Sequence, residues 1–372
     1  MLFTYPLMTA VQIVSARMGR TTGRGIAGNL RQHCPSWLLT AIITLLLTAN
    51  AINIGADLGA MADASRLVLG GQVLYVLLFG AICTALQMFL QYTRYVSVLK
   101  WLTLFLFAYV ACLFMVKVPW GEALRSLVVP SVHWDKDYLT TVVAVLGTTI
   151  SPYLFFWQAS QEAEDVRTVP ARQILKRAPH QGEAAVNRIH LDTFVGMGFS
   201  NFIALAIMIT AGATLHTNGV TDIQTSAQAA EALRPVAGAF AETIFALGVI
   251  GTGLLSVPVL AGSAAYAVGE ARRWPTGLAR QPMEAKAFYA VICIATIVGM
   301  IMNFTPIDPI RALYWSAVIN GVVAVPVMAI MIWLAAAPKV MGDFVIAGWT
   351  KALGWVATAV MAVAVAAMLA TS

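Results

Sequence analysis

The stretch Val145-Leu-Gly147-Thr148-Thr149-Ile150-Ser151-Pro152-Tyr153 holds the densest set of groups able to ligate an ion. It lies inside an apolar run, residues 138–159, which at about 1.5 Å per residue is just long enough to cross about 30 Å of hydrocarbon. Pro152 has no amide hydrogen and crowds the carbonyl four residues before it, so the helical ladder opens around Thr148 and Thr149. In a bilayer, freed carbonyls are tolerated only where protein or a water-filled cavity covers them. A helix broken at mid-membrane is one way in which transporters build an ion or substrate site. A plain proline kink bridged by threonine hydroxyls accounts for the same residues. This stretch alone does not separate the two readings.

A second set favours the first of them. Asn50, Asn53 and Asp57 stand at i, i+3 and i+7, which places them on one face of a helix. Asp57 is the one carboxylate well inside an apolar stretch, and a buried carboxylate in a membrane marks an ion or proton path by default. The bland reading is an asparagine-lined helix contact with Asp57 near an interface. Asn303, Ser316 and Asn320 are lone polar residues on apolar helices and read as interhelical hydrogen-bonding groups. The glycines and Ser256 that follow Glu242 read as close helix packing. Asp308-Pro309 reads as an N-cap followed by proline at the first helical position.

The elements that must position these groups are membrane helices. Of 372 residues, 59% are hydrophobic and 11% charged, and the mean hydropathy is +0.79, whereas a soluble domain carries about 25% charged residues. A pI near 9.2 invites a nucleic-acid reading, but the basic residues sit in short loops between apolar runs, which is topology rather than a DNA-binding face. Cys34, Cys83, Cys112 and Cys293 form no paired motif. His33, His133, His180, His190 and His216 have no metal-site spacing, and no nucleophile–base arrangement points to an enzyme or a bound cofactor.

Apolar runs predict ten helices: a stub over residues 1–16, then 37–56 continuing past Asp57, 72–90, 101–116, the broken 138–159, 193–215, 243–268, 287–307, 312–337 and 352–369. Residues 17–35, rich in Arg and Gly, read as a connecting loop without the lysine or strand–helix context of a phosphate loop. One set of alternate loops holds most of the 23 basic residues, including Arg17–Arg31, Arg94, Lys100, the 167–188 stretch, Arg272–Lys286, Lys339 and Lys351. The other set holds only Arg66, Lys117, Arg125, Lys136, Arg234 and Arg311. The richer side reads as cytoplasmic, in an inner or plasma membrane. The stub then runs inward, and its shortness leads us to expect a further helix before it. Trp37, Tyr92, Trp120, Trp274 and Trp349 near run ends read as interfacial anchors.

These residues resemble the NRAMP family of divalent-metal transporters. Leu2-Phe-Thr-Tyr-Pro-Leu-Met8 through Arg17-Met-Gly19 to Ala27 is similar to the family's run at the end of the second helix. Ala56-Asp57-Leu-Gly-Ala60 resembles its third-helix motif Thr-Asp-hydrophobic-Ala-Glu, and Gly147-Thr-Thr-Ile-Ser151-Pro152-Tyr153 its sixth-helix motif Gly-Ala-Thr-Val-Met-Pro-His. Phe245-Ala-Leu-Gly248 resembles the start of the eighth. The resemblance implies an all-α, leucine-transporter-type fold of inverted repeats, with the ion at the breaks of the first and sixth helices. It further implies one transporter domain over 1–372: 1–17 a partial second helix, 18–137 the rest of the first repeat, 138–338 the second repeat, and 339–372 an added C-terminal helix. No counterpart of the first helix, with its Asp-Pro-x-x-Asn ligands, is present.

The resemblance assigns Thr148, Ser151 and Tyr153 to the metal, and Asn53, Asp57 and Gln158 to the ion or proton path. Three departures bear on selectivity. Ser151 stands where the family has methionine, Tyr153 and Gln158 stand at the two histidine positions, and Ala60 replaces the glutamate. A thioether favours soft transition metals, whereas hydroxyl, carbonyl and water oxygens suit Mg2+ and Ca2+. The expected cargo is therefore a hard, Mg2+-like ion, with Mn2+ next. The expected partners are that cation and the lipid bilayer, with no nucleic acid and no obligatory protein. Two other readings stand beside this one: a sodium-coupled carrier of organic solutes, with Phe155, Phe156 and Trp157 lining its pocket, and an inactive remnant.

Overall fold

An apolar chain can satisfy its backbone in a bilayer only as helices or as a closed barrel, and this one takes helices. The computed structural model describes residues 1–71, 74–89, 101–129, 134–215, 219, 223, 225–306 and 308–371, and among these there is no strand. Tyr92, Arg94, Lys100, His133 and His216 lie outside the described residues. The principal helices are α1 (Thr4–Thr22), α2 (Ile26–His33), α3 (Ser36–Leu69), α4 (Leu74–Phe89), α5 (Phe107–Met115), α6 (Trp120–Val128), α7 (Lys136–Thr149) and α8 (Pro152–Thr168). They continue as α9 (Gly182–Thr214), α10 (Ala241–Arg272), α11 (Lys286–Met302), α12 (Pro309–Ala335) and α13 (Gly348–Ala370). Six spans are long and apolar enough to cross a membrane: α3, α7 with α8, α9, α10, α12 and α13. Residues 74–89, 104–115 and 286–302 form shorter apolar helices. With α1 these make up the ten runs expected.

The apolar run 138–159 is indeed two helices, interrupted at Ile150 and Ser151. Asp308 caps α12 as expected, its carboxylate accepting from the amides of Ile310 (2.8 Å) and Arg311 (3.4 Å). Residues 17–35 depart from the expected loop. α1 runs on through Arg17 and Arg20, ends at the left-handed Gly23 (φ 65°), and α2 follows almost at once. The cause lies far along the chain. The Glu270 carboxylate accepts from the amides of Gly25 (2.9 Å) and Gly28 (2.8 Å), satisfying donors that a helix start leaves free and so allowing a short helix to form.

α1 is buried along nearly its whole length, packed against α8, α9 and α13. Its Gly19 sits so near α8 that a Cβ there would lie 2.1 Å from the Ala159 carbonyl oxygen. Gly147 on α7 is as tightly placed against α12, where a Cβ would lie 2.0 Å from the Ala317 carbonyl oxygen. α3 and α10 form the most extensive helix pair, consistent with the small residues along α10. Among the described residues, loops of the basic set meet at one end of the bundle. Arg17 donates to the carbonyls of Phe344 (3.2 Å) and Val345 (3.3 Å), Arg20 to Gln181 (2.9 Å), and Lys176 to the Val340 carbonyl (3.3 Å). These described loops, which the charge count groups together, are thus in contact.

Candidate functional site at the α7–α8 break

Pro152 offers no amide to the Thr148 carbonyl, and the Ser151 hydroxyl takes that place, donating to the carbonyls of Thr148 (3.1 Å) and Gly147. Ser151 stands at the N-cap of α8 in extended backbone (φ −88°, ψ 134°), yet its side chain does not cap that helix. Turned back on α7, the hydroxyl keeps its lone pairs beside a carbonyl that no amide claims. The hydroxyls of Thr148 and Thr149 bond back to Ala144 (2.9 Å), Val145 (3.0 Å) and Leu146 (3.1 Å). Threonine bridging therefore does occur, on carbonyls upstream of the break. Tyr153, in the first turn of α8, lies next to Ser151 and within electrostatic reach of Asp57. Thr148, Ser151, Tyr153 and Asp57 are brought to one region.

Asp57 is partly buried between α3 and α10, its carboxylate accepting from the Ser256 hydroxyl. One and two turns earlier on α3, the other members of the polar face are also engaged. Asn53 and Asn320 of α12 exchange a reciprocal pair of amide hydrogen bonds, each 3.1 Å. Asn50 donates to the Leu260 carbonyl (2.9 Å) and to Ser263 Oγ (2.7 Å), while its own carbonyl oxygen is buried with no partner among the described residues. The face therefore joins α3 to α10 and α12. Gln158 turns elsewhere: its carbonyl oxygen accepts from Gln12 of α1 at 3.5 Å.

Reading the sequence singled out neither Asp57's partner nor Asn53's as part of a site. Ser256 lay in a stretch of small residues, and Asn320 read as an interhelical hydrogen-bonding group, which its pairing with Asn53 bears out. Buried carboxylates also escaped notice. Glu164 accepts from the amides of Leu278 (3.2 Å) and Ala279 (2.7 Å) and from the Tyr266 hydroxyl, and Glu162 pairs with Arg188 at 2.6 Å. Both sit at the charged end of α8, where one more carboxylate attracts no attention. Phe155, Phe156 and Trp157 are packed into the hydrophobic core, which gives no support to their expected place in a solute pocket.

Comparison with known proteins places this geometry. The family model described as natural resistance-associated macrophage protein-like, Nramp, matches residues 1–371. The chain belongs to the Nramp family. Two Klebsiella pneumoniae proteins named divalent metal cation transporter MntH are each 28% identical over 366 residues, covering 94% of this chain and 80% of theirs. Two crystal structures of single-residue variants of the Eremococcus coleocola manganese transporter superpose with a TM-score of 0.73 at 15% identity, covering 98% of this chain and 77% of theirs. At that identity the likeness establishes the fold. The Nramp chain is an all-α integral membrane protein, as its residues led us to expect, and has the leucine-transporter-type fold that the resemblance implied.

Proposed function

We propose that this Nramp-family chain carries a divalent metal cation across the membrane, taking it at the α7–α8 break. The Thr148 carbonyl and Ser151 hydroxyl contribute oxygen ligands, with the Tyr153 hydroxyl beside them. Asn53 and Asp57 line the approach, and Gln158 extends the polar route toward α1. Relatives named as divalent-metal and manganese transporters support the class of cargo. The observation that carries the site is the Thr148 carbonyl, denied an amide by Pro152 and met only by a hydroxyl that an ion can replace. The basic end of the bundle, by its excess of Lys and Arg, faces the cytoplasm of an inner or plasma membrane, and 18–137 and 138–338 form the two repeats.

Selectivity follows from the donor atoms. All three groups at the break offer oxygen, and a Mg2+ ion retains several waters and needs few protein contacts. Mg2+ is therefore the favoured cargo and Mn2+ the next. Ser151→Met introduces the soft thioether that favours Cd2+ and Mn2+. Competition between Mg2+ and Cd2+ in proteoliposome uptake, wild type against S151M, reads the outcome. A shift toward Cd2+ in the variant is expected; a wild type that already prefers Cd2+, with no change in S151M, would overturn the hard-ion assignment. Uptake of amino acids instead of metals would favour the organic-solute reading, which the burial of Phe155 and Phe156 does not support.

A further inference from the structure

At the basic end of the bundle, a cavity of about 160 Å3 opens between α2, the end of α8 and the end of α10. Its lining includes the side chains of Arg24, Arg31, Arg167 and Arg273. A single carboxylate, Glu270, shares the space, and both of its oxygens are already engaged by the Gly25 and Gly28 amides and the Ser160 hydroxyl. Among the described residues none of the four arginines forms an ion pair. Arg24 donates to Gln32, Arg31 to the Glu270 main-chain carbonyl, and Arg167 to the Ala163 carbonyl at 3.3 Å. The Arg31 Nε is buried without a partner among the described residues. Burial first, then the nearby Arg273 and Arg24, lower the Arg31 pKa, and Glu270 offsets this only in part.

Two features separate this cluster from ordinary loop charge. A positive-inside signal asks only that arginines lie in the right loops, not that four from three segments converge on one cavity. Arg273 is also the one non-glycine residue with positive φ (60°) among the described residues, at the C-cap of α10, where glycine is the usual occupant. A side chain is kept there against a backbone preference for none.

We propose that this cavity binds a phosphate-bearing anion through Arg24, Arg31, Arg167 and Arg273. Planar guanidinium forks match phosphate oxygens in pairs. At about 30 Å3 per water, the volume accommodates a phosphate group with a few waters. Trp274, also in the lining, is the kind of residue found at headgroup depth, so the anionic headgroup of a phospholipid is the favoured source and a soluble phosphate the other. The α2 N-terminus is not part of the site, because Glu270 already occupies its amides.

The test uses the purified full chain in neutral detergent, with thermal unfolding followed against phosphatidylglycerol, phosphatidylcholine, inorganic phosphate and pyrophosphate. Arg273→Gly removes one guanidinium and relieves the left-handed backbone, so it folds at least as well as wild type. Arg272→Gln removes an equal charge one residue away, outside this cavity. Stabilisation by phosphatidylglycerol but not phosphatidylcholine, with an apparent affinity about tenfold or more weaker in R273G and unchanged in R272Q, is expected. The same pattern with pyrophosphate or phosphate in place of lipid keeps the site and assigns a soluble source. No response to any phosphate-bearing probe, or an equal loss in R273G and R272Q, overturns the proposal.

Discussion

Substituting Gly147 by alanine tests whether the ion site depends on how closely α7 approaches α12. A Cβ at Gly147 would lie 2.0 Å from the Ala317 carbonyl oxygen, 2.5 Å from the Gly321 amide nitrogen and 2.9 Å from the Gly321 Cα. All three are backbone atoms, so no side-chain rotation relieves the overlap. Restoring even a tight 3.0 Å contact moves the two helices apart by about 1 Å. Overpacking of this kind costs about 1–3 kcal/mol, and alanine's better helix propensity returns about 1 kcal/mol, leaving a net loss of about 0–2 kcal/mol. Thr148 is the next residue, and its carbonyl moves with α7. Metal–oxygen distances tolerate about 0.2 Å, so a 1 Å displacement removes the Thr148 carbonyl from the proposed site. Gly212→Ala on α9, where nothing lies within 4 Å, is the control, and it gains about 0.5–1 kcal/mol. Detergent unfolding at a fixed scan rate and Mg2+ or Mn2+ uptake in proteoliposomes report the two effects. G147A with wild-type midpoint and wild-type uptake, or G212A as damaging as G147A, refutes the reasoning.

Three further substitutions probe the polar groups. Asp57→Asn keeps the shape and an acceptor for Ser256 while removing the charge, so metal uptake falls about tenfold or more with an unfolding midpoint close to wild type; undiminished uptake would take Asp57 off the path. Asn53→Ala and Asn320→Ala, singly and together, yield a coupling of about 0.6–1.5 kcal/mol in a double-mutant cycle, and strict additivity would mean that the reciprocal amide pair contributes nothing. Glu270→Ala leaves the first amides of α2 without their acceptor at a local cost of about 1–2 kcal/mol, which hydrogen exchange detects as faster exchange across 26–33 with α7 unchanged. Exchange at the wild-type rate there would show that α2 does not depend on Glu270.

What the sequence disclosed depended on how far apart the cooperating residues lie. The α7–α8 break was legible because Pro152 acts on a carbonyl four residues away, and the α12 cap because Asp308 serves amides two and three residues on. Ser256 meets Asp57 across 199 positions and Glu270 meets Gly28 across 242, and no local pattern announces either pairing. The misreading of 17–35 as a loop has the same origin, since the glycines look like turn residues until a distant carboxylate satisfies them. Asn53 showed its face by its spacing from Asn50 and Asp57, but not that Asn320 waits opposite.

The burial of α1 also bears on how the molecule is made. This helix, carrying Gln12, Ser15, Arg17 and Arg20, is not among those apolar enough to span by composition, so it gains little from lipid on its own. Its neighbours α8, α9 and α13 are synthesised much later, the last of them beginning at Gly348. While the first third of the chain is being made, this semi-polar segment therefore lacks the three helices that bury it in the finished bundle. During that interval the segment must wait at the membrane surface, in the insertion machinery or under a chaperone. The burial of α1 is then completed only when α13 arrives at the end of synthesis, and truncating the message before α13 should expose α1 to quality-control proteolysis even though every residue of α1 itself is intact.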